Sequence, residues 1–351
     1  MSQALKTGEL AAKVVAWQEQ HGRNSLPWQN TREPYRVWLS EIMLQQTQVA
    51  TVMGYFDRFL TAMPTVQHLA SASLDEVLGL WSGLGYYSRA RNLHRCAQAV
   101  VDLHGGAFPR NADILVTLPG IGRSTAAAIA SLCFGERVAI LDANVKRVVT
   151  RVIGFDGDLA QAVQERRLWD AASDLLPAPN VVPRTMARYT QGMMDLGATV
   201  CLPKKPACLL CPLNTDCRAH ADGEPERYPV RTRKLKRSSQ SIWLLWAQSD
   251  DGAVWLAPRP TPGVWAGLQC FPLFESETAL RSALAAGQRT ILQAEQTFVH
   301  VLTHKDLHLH PWRLNLAAGV DLGALPGRWV SAAQWPTVGL PAPIRKLLEG
   351  A

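Results

Sequence analysis

The chain has 351 residues, 47% of them hydrophobic, and a formal charge of +7 at pH 7. It is too long for one ordinary core and too apolar for large-scale disorder, so two packed domains are expected. The positive balance favours an anionic partner, with nucleic acid the first candidate and an acidic membrane surface its competitor.

Residues 1–20 read as an amphipathic helix with Leu10, Val14 and Trp17 on one stripe. The segment lacks the basic start, apolar middle and small-residue cleavage site of a signal peptide, and no apolar run in the chain reaches membrane-spanning length. A cytoplasmic protein with reduced thiols and no membrane partner is therefore expected. From residue 10 to about 220 apolar residues recur at three- and four-residue spacings, predicting an almost wholly helical region. Breaks fall at Gly22 to Pro27, Met63-Pro64, Gly105 to Pro109, Pro119 to Gly122 and Pro177 to Pro183. Residues 227–237 then hold six basic side chains among eleven positions and no acidic one, the pattern of a linker or a phosphate-contacting strap. Beyond Ser241 the pattern alternates, predicting strands over 241–247 and 253–257 around an Asp250-Asp251-Gly252 turn, with one helix over 277–286. The expected division is residues 1–224, a basic linker over 225–240, and a small α+β domain over 241–351.

Three constellations carry chemistry. Cys201, Cys208, Cys211 and Cys217 form a Cys-x6-Cys-x2-Cys-x5-Cys run. Four thiols so spaced in a reduced compartment point to a metal site. Zinc commonly takes two Cys-x-x-Cys hooks set further apart, so a single hook favours an iron–sulfur cubane over zinc without eliminating it. The isolated Cys96, Cys133 and Cys270 read as core packing. The second constellation is Leu118-Pro119-Gly120-Ile121-Gly122-Arg123-Ser124-Thr125 ahead of an alanine-rich helix. Gly120 and Gly122 permit positive φ and close backbone approach, which suits either a phosphate at a helix N-terminus or an ordinary tight turn. The third is a pair of carboxylates. Glu41 sits in a largely uncharged helix, where burial would raise its pKa toward that of a general acid; a satisfied buried acid fits equally. Asp142 follows an apolar segment and precedes Asn144-Val145-Lys146-Arg147, which also suits a plain helix N-cap.

Taken together, residues 34–49, Gly83 to Arg91, 118–130, Ile140 to Val148, and Gln191 to Ala198 with the four cysteines resemble the adenine DNA glycosylases of the MutY type. That family belongs to the helix–hairpin–helix superfamily shared with endonuclease III. The resemblance implies a mainly α N-terminal glycosylase domain, built as a helix barrel and an iron–sulfur subdomain, followed by a C-terminal MutT/Nudix-like domain. It implies base excision repair of duplex DNA: a monomer removes adenine mispaired with 8-oxoguanine or guanine and leaves an abasic site. Glu41 matches the acid that protonates the adenine, and Asp142 the carboxylate that meets the oxocarbenium-like sugar. Gln191 matches a contact to the flipped base; Gln46 and Tyr86 match residues that wedge into the duplex. Gly120, Gly122 and Ser124 fall on the hairpin that meets DNA. The four cysteines match the ligands of one 4Fe–4S cluster.

Ser124 departs from bifunctional relatives, which carry there a lysine able to form an imine; a hydroxyl cannot, so no strand cleavage is expected. In the C-terminal region Gly263 to Pro272 matches the family's glycine- and tryptophan-rich turn, while the acidic Nudix helix is absent and pyrophosphate hydrolysis is not expected. Leu302-Thr303-His304 stands where the family carries a Phe-Ser-His loop that reads 8-oxoguanine, so Thr303 and His304 are expected to touch that base; Val299-His300 offers a competing register. Rival readings are an endonuclease III-like lyase, opposed by Ser124 and the extra domain, and a non-enzymatic DNA-binding or redox-sensing protein, opposed by Glu41 and Asp142.

Overall fold

The computed structural model describes residues 7–232 and 237–350. The first six positions of the expected N-terminal helix and the centre of the basic strap lie outside the described residues. Helices follow one another as the apolar spacing requires: α1 (Thr7–His21), α2 (Pro34–Leu44), α3 (Val49–Ala62), α4 (Val66–Ser71), α5 (Leu74–Trp81), α6 (Ser88–His104), α7 (Ala112–Leu115), α8 (Arg123–Phe134), α9 (Ala143–Ile153), α10 (Ala162–Asp174), α11 (Pro183–Thr199) and α12 (Arg218–Ala221). None is long and apolar enough to cross a membrane. Local chemistry sets the ends. Glu33 accepts the Tyr35 and Arg36 amides ahead of α2, Ser73 and Glu76 form a capping box on α5, and Asp142 caps α9. Left-handed glycines close α8 (Gly135, φ 73) and α9 (Gly154, φ 66), where a Cβ would strain the backbone.

The chain condenses into two compact units, and their boundary does not follow the sequence simply. One comprises Met1–Val52, Leu60–Ala70 and Arg95–Lys234; the other comprises Met53–Phe59, Ser71–His94 and Leu235–Ala351. In the first, α9 turns Val145, Val148, Val149 and Val152 into a core with Leu10 and Val14 of α1, Leu168 of α10, and Met186 and Met193 of α11.

The second unit is built on a mixed sheet. Its strands are β1 (Ser238–Ser249), β2 (Val254–Pro258), β3 (Gln269–Cys270), β4 (Leu273–Phe274), β5 (Gln293–Ala294), β6 (Phe298–Val301), β7 (Lys305–Leu316) and β8 (Arg328–Val330), with order β3-β2-β1-β7-β5 along its main path. β1 and β7 run parallel over their whole length, Ser238 opposite Lys305 through Ser249 opposite Leu316. Both faces are covered, so alternate residues of β1 enter different cores. Leu244 and Trp246 join Ile344 and Leu348 of α15 (Ala342–Glu349), whereas Leu245 and Ala247 join Leu280 of α13 (Glu277–Ser282). The helix expected over 277–286 is interrupted: α13 ends at Ser282 and a separate α14 (Ala286–Thr290) begins after an extended Ala285.

Sequence patterning gave no sign that the segment carrying Tyr86 would pack with the C-terminal part. Arg345 of α15 donates to the Ser82 hydroxyl at 3.0 Å and to the carbonyls of Pro336 at 3.0 Å and Val338 at 2.9 Å. The Tyr87 hydroxyl donates to the Leu340 carbonyl at 3.0 Å. A Cβ on Gly79 would lie 2.1 Å from the Thr337 carbonyl oxygen.

That approach decides the sign of a substitution. In a free helix Gly79→Ala would gain about 1 kcal/mol of propensity. Against the Thr337 backbone, overpacking costs about 1–3 kcal/mol. Chemical denaturation of Gly79→Ala is expected to show a net loss of up to about 2 kcal/mol, and a stabilised variant would contradict the close packing.

Candidate active site and cysteine loop

Glu41 lies at the start of the last turn of α2, flanked by Ser40, Ile42 and Met43, all buried. It is half-buried. Burial is the main force raising its carboxyl, to about 7; the neighbouring negative charge of Asp142 adds to it and Arg23 opposes it. At that value the group holds a proton for a large part of the time near neutral pH, as a general acid must.

Asp142 is the N-cap of α9, its Oδ1 accepting the Val145 amide at 2.7 Å. The N-cap that the sequence allowed is therefore realised. Burial raises its carboxyl, while the Val145 and Asn144 amides, Arg147 and Arg23 favour the charged form. The two carboxylates interact, and only Asp142 sits on helix amides that stabilise an anion.

The hairpin precedes α8. Gly120 has φ 77, as a tight turn with no Cβ allows, but Gly122 does not take the positive φ its residue type permits. Gly122 is an extended N-cap (φ −84, ψ 168) without a side-chain cap, and nothing lies within 4 Å of where its Cβ would be. Neither backbone strain nor packing within the chain therefore demands glycine at this position, and the first amides of α8 have no side-chain cap there. Ser124 accepts the Leu141 amide at 3.2 Å, so its hydroxyl braces the residue before Asp142.

Gln191 lies on α11 and donates Nε2 to Asp195 Oδ1 at 3.1 Å. Asp195 is fully buried at 0% exposure and also accepts the Arg23 amide and guanidinium. A cavity of about 800 Å³ opens beside Gln191, lined also by Gln18, Trp28, Gln29, Arg32, Arg184 and Arg188. Neither Arg23 nor Asp195 was expected from sequence, although an acid four residues after Gln191, between Met194 and Leu196, was a readable signal.

Gln46 follows the C-cap of α2 with φ 58, and in the other unit Tyr86 has φ 47. Left-handed backbone at a non-glycine residue costs roughly 1–2 kcal/mol. Tyr86 is 41% exposed, so the glycine-flanked turn does present it. Its hydroxyl is hydrogen-bonded to that of Thr303, and Arg237 donates to the Thr303 carbonyl at 3.4 Å. The His304 carbonyl accepts the Ser238 amide at 3.1 Å. His300, in the competing register, lies on β6 with Trp265 6.2 Å away, and burial lowers its pKa.

The four cysteines line one small pocket with Arg151, Val200, Pro206, Asn214, His220 and Pro225. Burial pushes the Cys211 thiol up to about 12 and those of Cys208 and Cys217 upward. Among the described residues no three His, Cys, Asp or Glu side chains are grouped as ligands of a metal ion. The loop is held from α9. Arg151, 2% exposed, donates to the carbonyls of Leu202 at 2.7 Å and Pro203 at 3.1 Å, and to Cys201 Sγ at 3.3 Å. Arg147 donates to the Cys201 carbonyl at 2.7 Å.

Residues 39–172 match the model of the HhH-GPD superfamily of base excision DNA repair proteins, and residues 242–350 match the NUDIX domain. The adenine DNA glycosylase of Buchnera aphidicola subsp. Acyrthosiphon pisum is 36% identical over 340 residues, covering 96% of this chain and 95% of that protein. The adenine DNA glycosylase of Homo sapiens is 34% identical over 402 residues, covering 96% of this chain and 72% of its own length. Among solved structures, a thermostable thymine-DNA glycosylase superposes with a TM-score of 0.53 at 27% identity, over 62% of this chain and 97% of its own. Near-full-length identity above a third, together with a base-excision domain followed by a NUDIX domain, places the protein: it belongs to the adenine DNA glycosylase family and is a DNA glycosylase of base excision repair.

Proposed function

We propose that the protein is a monofunctional, monomeric enzyme of the cytoplasm that removes adenine opposite 8-oxoguanine or guanine in duplex DNA. The observation that carries this reading is the pairing of Glu41, raised to about 7 by burial and by the charge of Asp142, with an Asp142 that caps α9. Glu41 donates its proton to a ring nitrogen of the flipped adenine, which turns the base into a neutral leaving group. The C1′–N9 bond breaks as positive charge builds on the sugar, and the Asp142 carboxylate stabilises that charge until water completes hydrolysis. Gln191 contacts the extruded base; Gln46 and Tyr86 fill the space it leaves. The open amides at Gly120 and Gly122 take a phosphate, and Thr303 and His304 read the base opposite the adenine.

The cysteine loop suits a 4Fe–4S cluster. Its donors are four thiols around one pocket, with buried Arg151 and Arg147 supplying positive charge beside them. Such a cluster, when bound, supplies the cross-link that holds residues 201–217 as one loop. Its residues Cys201, Cys208, Cys211 and Cys217 would hold it, and α9 would carry that order to Asp142.

Single-turnover cleavage of end-labelled duplexes tests the reading. Breaks at adenine opposite 8-oxoguanine or guanine are expected only after alkali, with no borohydride-trapped adduct, because Ser124 cannot form an imine; a trapped adduct would overturn the monofunctional assignment. The rate should fall as pH rises through about 7, where Glu41 loses its proton, and fall again in acid as Asp142 is neutralised. Glu41→Gln is expected to lower the rate by about 10²- to 10⁴-fold while leaving affinity for an abasic-analogue duplex intact. A Glu41→Gln enzyme with an unchanged alkaline limb would exclude Glu41 as the acid.

A further inference from the structure

One buried carboxylate lies behind the proposed base-contacting side chain and holds Arg23 as well. Asp195 has no exposure to solvent, and its two oxygens receive four donors. Oδ2 accepts the Arg23 amide at 3.1 Å. Oδ1 accepts Arg23 Nε at 2.7 Å, Gln191 Nε2 at 3.1 Å and Gln29 Nε2 at 3.3 Å. A carboxylate only accepts, so each amide that meets it must turn its nitrogen inward and its oxygen away. Gln29 and Gln191 both line the cavity, and Gln29 Oε1 is buried with no donor.

We propose that Asp195 is a positioning residue that sets base selectivity: by holding Gln191 Nε2 it fixes the amide oxygen toward the base, and by holding Arg23 it places a guanidinium beside the catalytic carboxylates. The proposal rests on the reading of Gln191 as the contact to the flipped base. An amide oxygen accepts from the 6-amino group of adenine and opposes the 6-oxo group of hypoxanthine or guanine. A buried site that demands a donor discriminates strongly against a ligand presenting an acceptor. Arg23 acts on the second half of the reaction, since its charge favours the ionised forms of both Glu41 and Asp142. The groups facing Glu41 are Asp142, Arg23 and the Cys133 thiol, and Arg23 is the cation among them.

The test compares single-turnover removal of adenine and of hypoxanthine opposite guanine by the full-length protein. Asp195→Asn keeps the shape but supplies donors, so Gln191 can turn; the preference for adenine should fall about 10-fold or more, the value of one hydrogen bond. Gln191→Met should show the same loss, and the double variant no further loss. Arg23→Gln, at a partly exposed side chain, should keep the preference. It should shift the alkaline limb to higher pH, because Glu41 loses the cation that lowers its pKa. If Asp195→Asn does not fold, the Gln191→Met and Arg23→Gln results still decide. Unchanged preference in Asp195→Asn or Gln191→Met, or an unmoved limb in Arg23→Gln, overturns the proposal. Failure of the wild-type protein to remove adenine would instead overturn the proposed function.

Discussion

The first turn of α9 is where structure and chemistry meet. A helix N-terminus must satisfy amides that have no intrahelical partner, and Asp142 does so at 2.7 Å from the Val145 nitrogen. The same bond fixes the carboxylate and favours its anion despite burial. Further along the same helix, Arg147 and Arg151 reach into the cysteine loop, while the valines between them hold the helix in the core. One element thus carries the anion at one end and the loop's anchors along its length.

Placing two interacting carboxylates out of water is unfavourable unless one stays protonated. The surroundings divide the roles. Glu41 is raised to about 7, chiefly by burial, whereas Asp142 accepts the Val145 amide at the start of α9. Arg23 tempers both, and it is held in turn by buried Asp195. Such a chain of dependence makes the acid's pKa a property of three helices and a loop, not of its own sequence neighbours.

The regions expected to meet the duplex show another kind of stored cost. Gln46 and Tyr86 are non-glycine residues in left-handed backbone, a conformation maintained only where the surroundings impose it. For Tyr86 those surroundings include the C-terminal part of the chain, since Ser82 and Tyr87 on either side are bonded to Arg345 and Leu340. The Thr303 hydroxyl is bonded to Tyr86 itself, so the turn that presents the tyrosine and the loop expected to read the opposite base are joined within one compact unit.

The sequence by itself determined what depends on short-range chemistry. Helical spacing through residue 220, the Asp250 to Gly252 turn, the alternation after Ser241, the cysteine run and the capping capacity of Asp142 were all legible, because each is set by residues a few positions apart. Tertiary structure decided what depends on distant partners. It showed that Gly122 keeps an ordinary extended backbone, that the helix expected over 277–286 stops at Ser282, and that Ser124 braces Leu141. It alone brought Arg23 to Asp195 and residues 71–94 to the C-terminal part. The reason is physical: burial and charge proximity are sums over side chains from many elements, and no local pattern in the chain encodes which of them will meet.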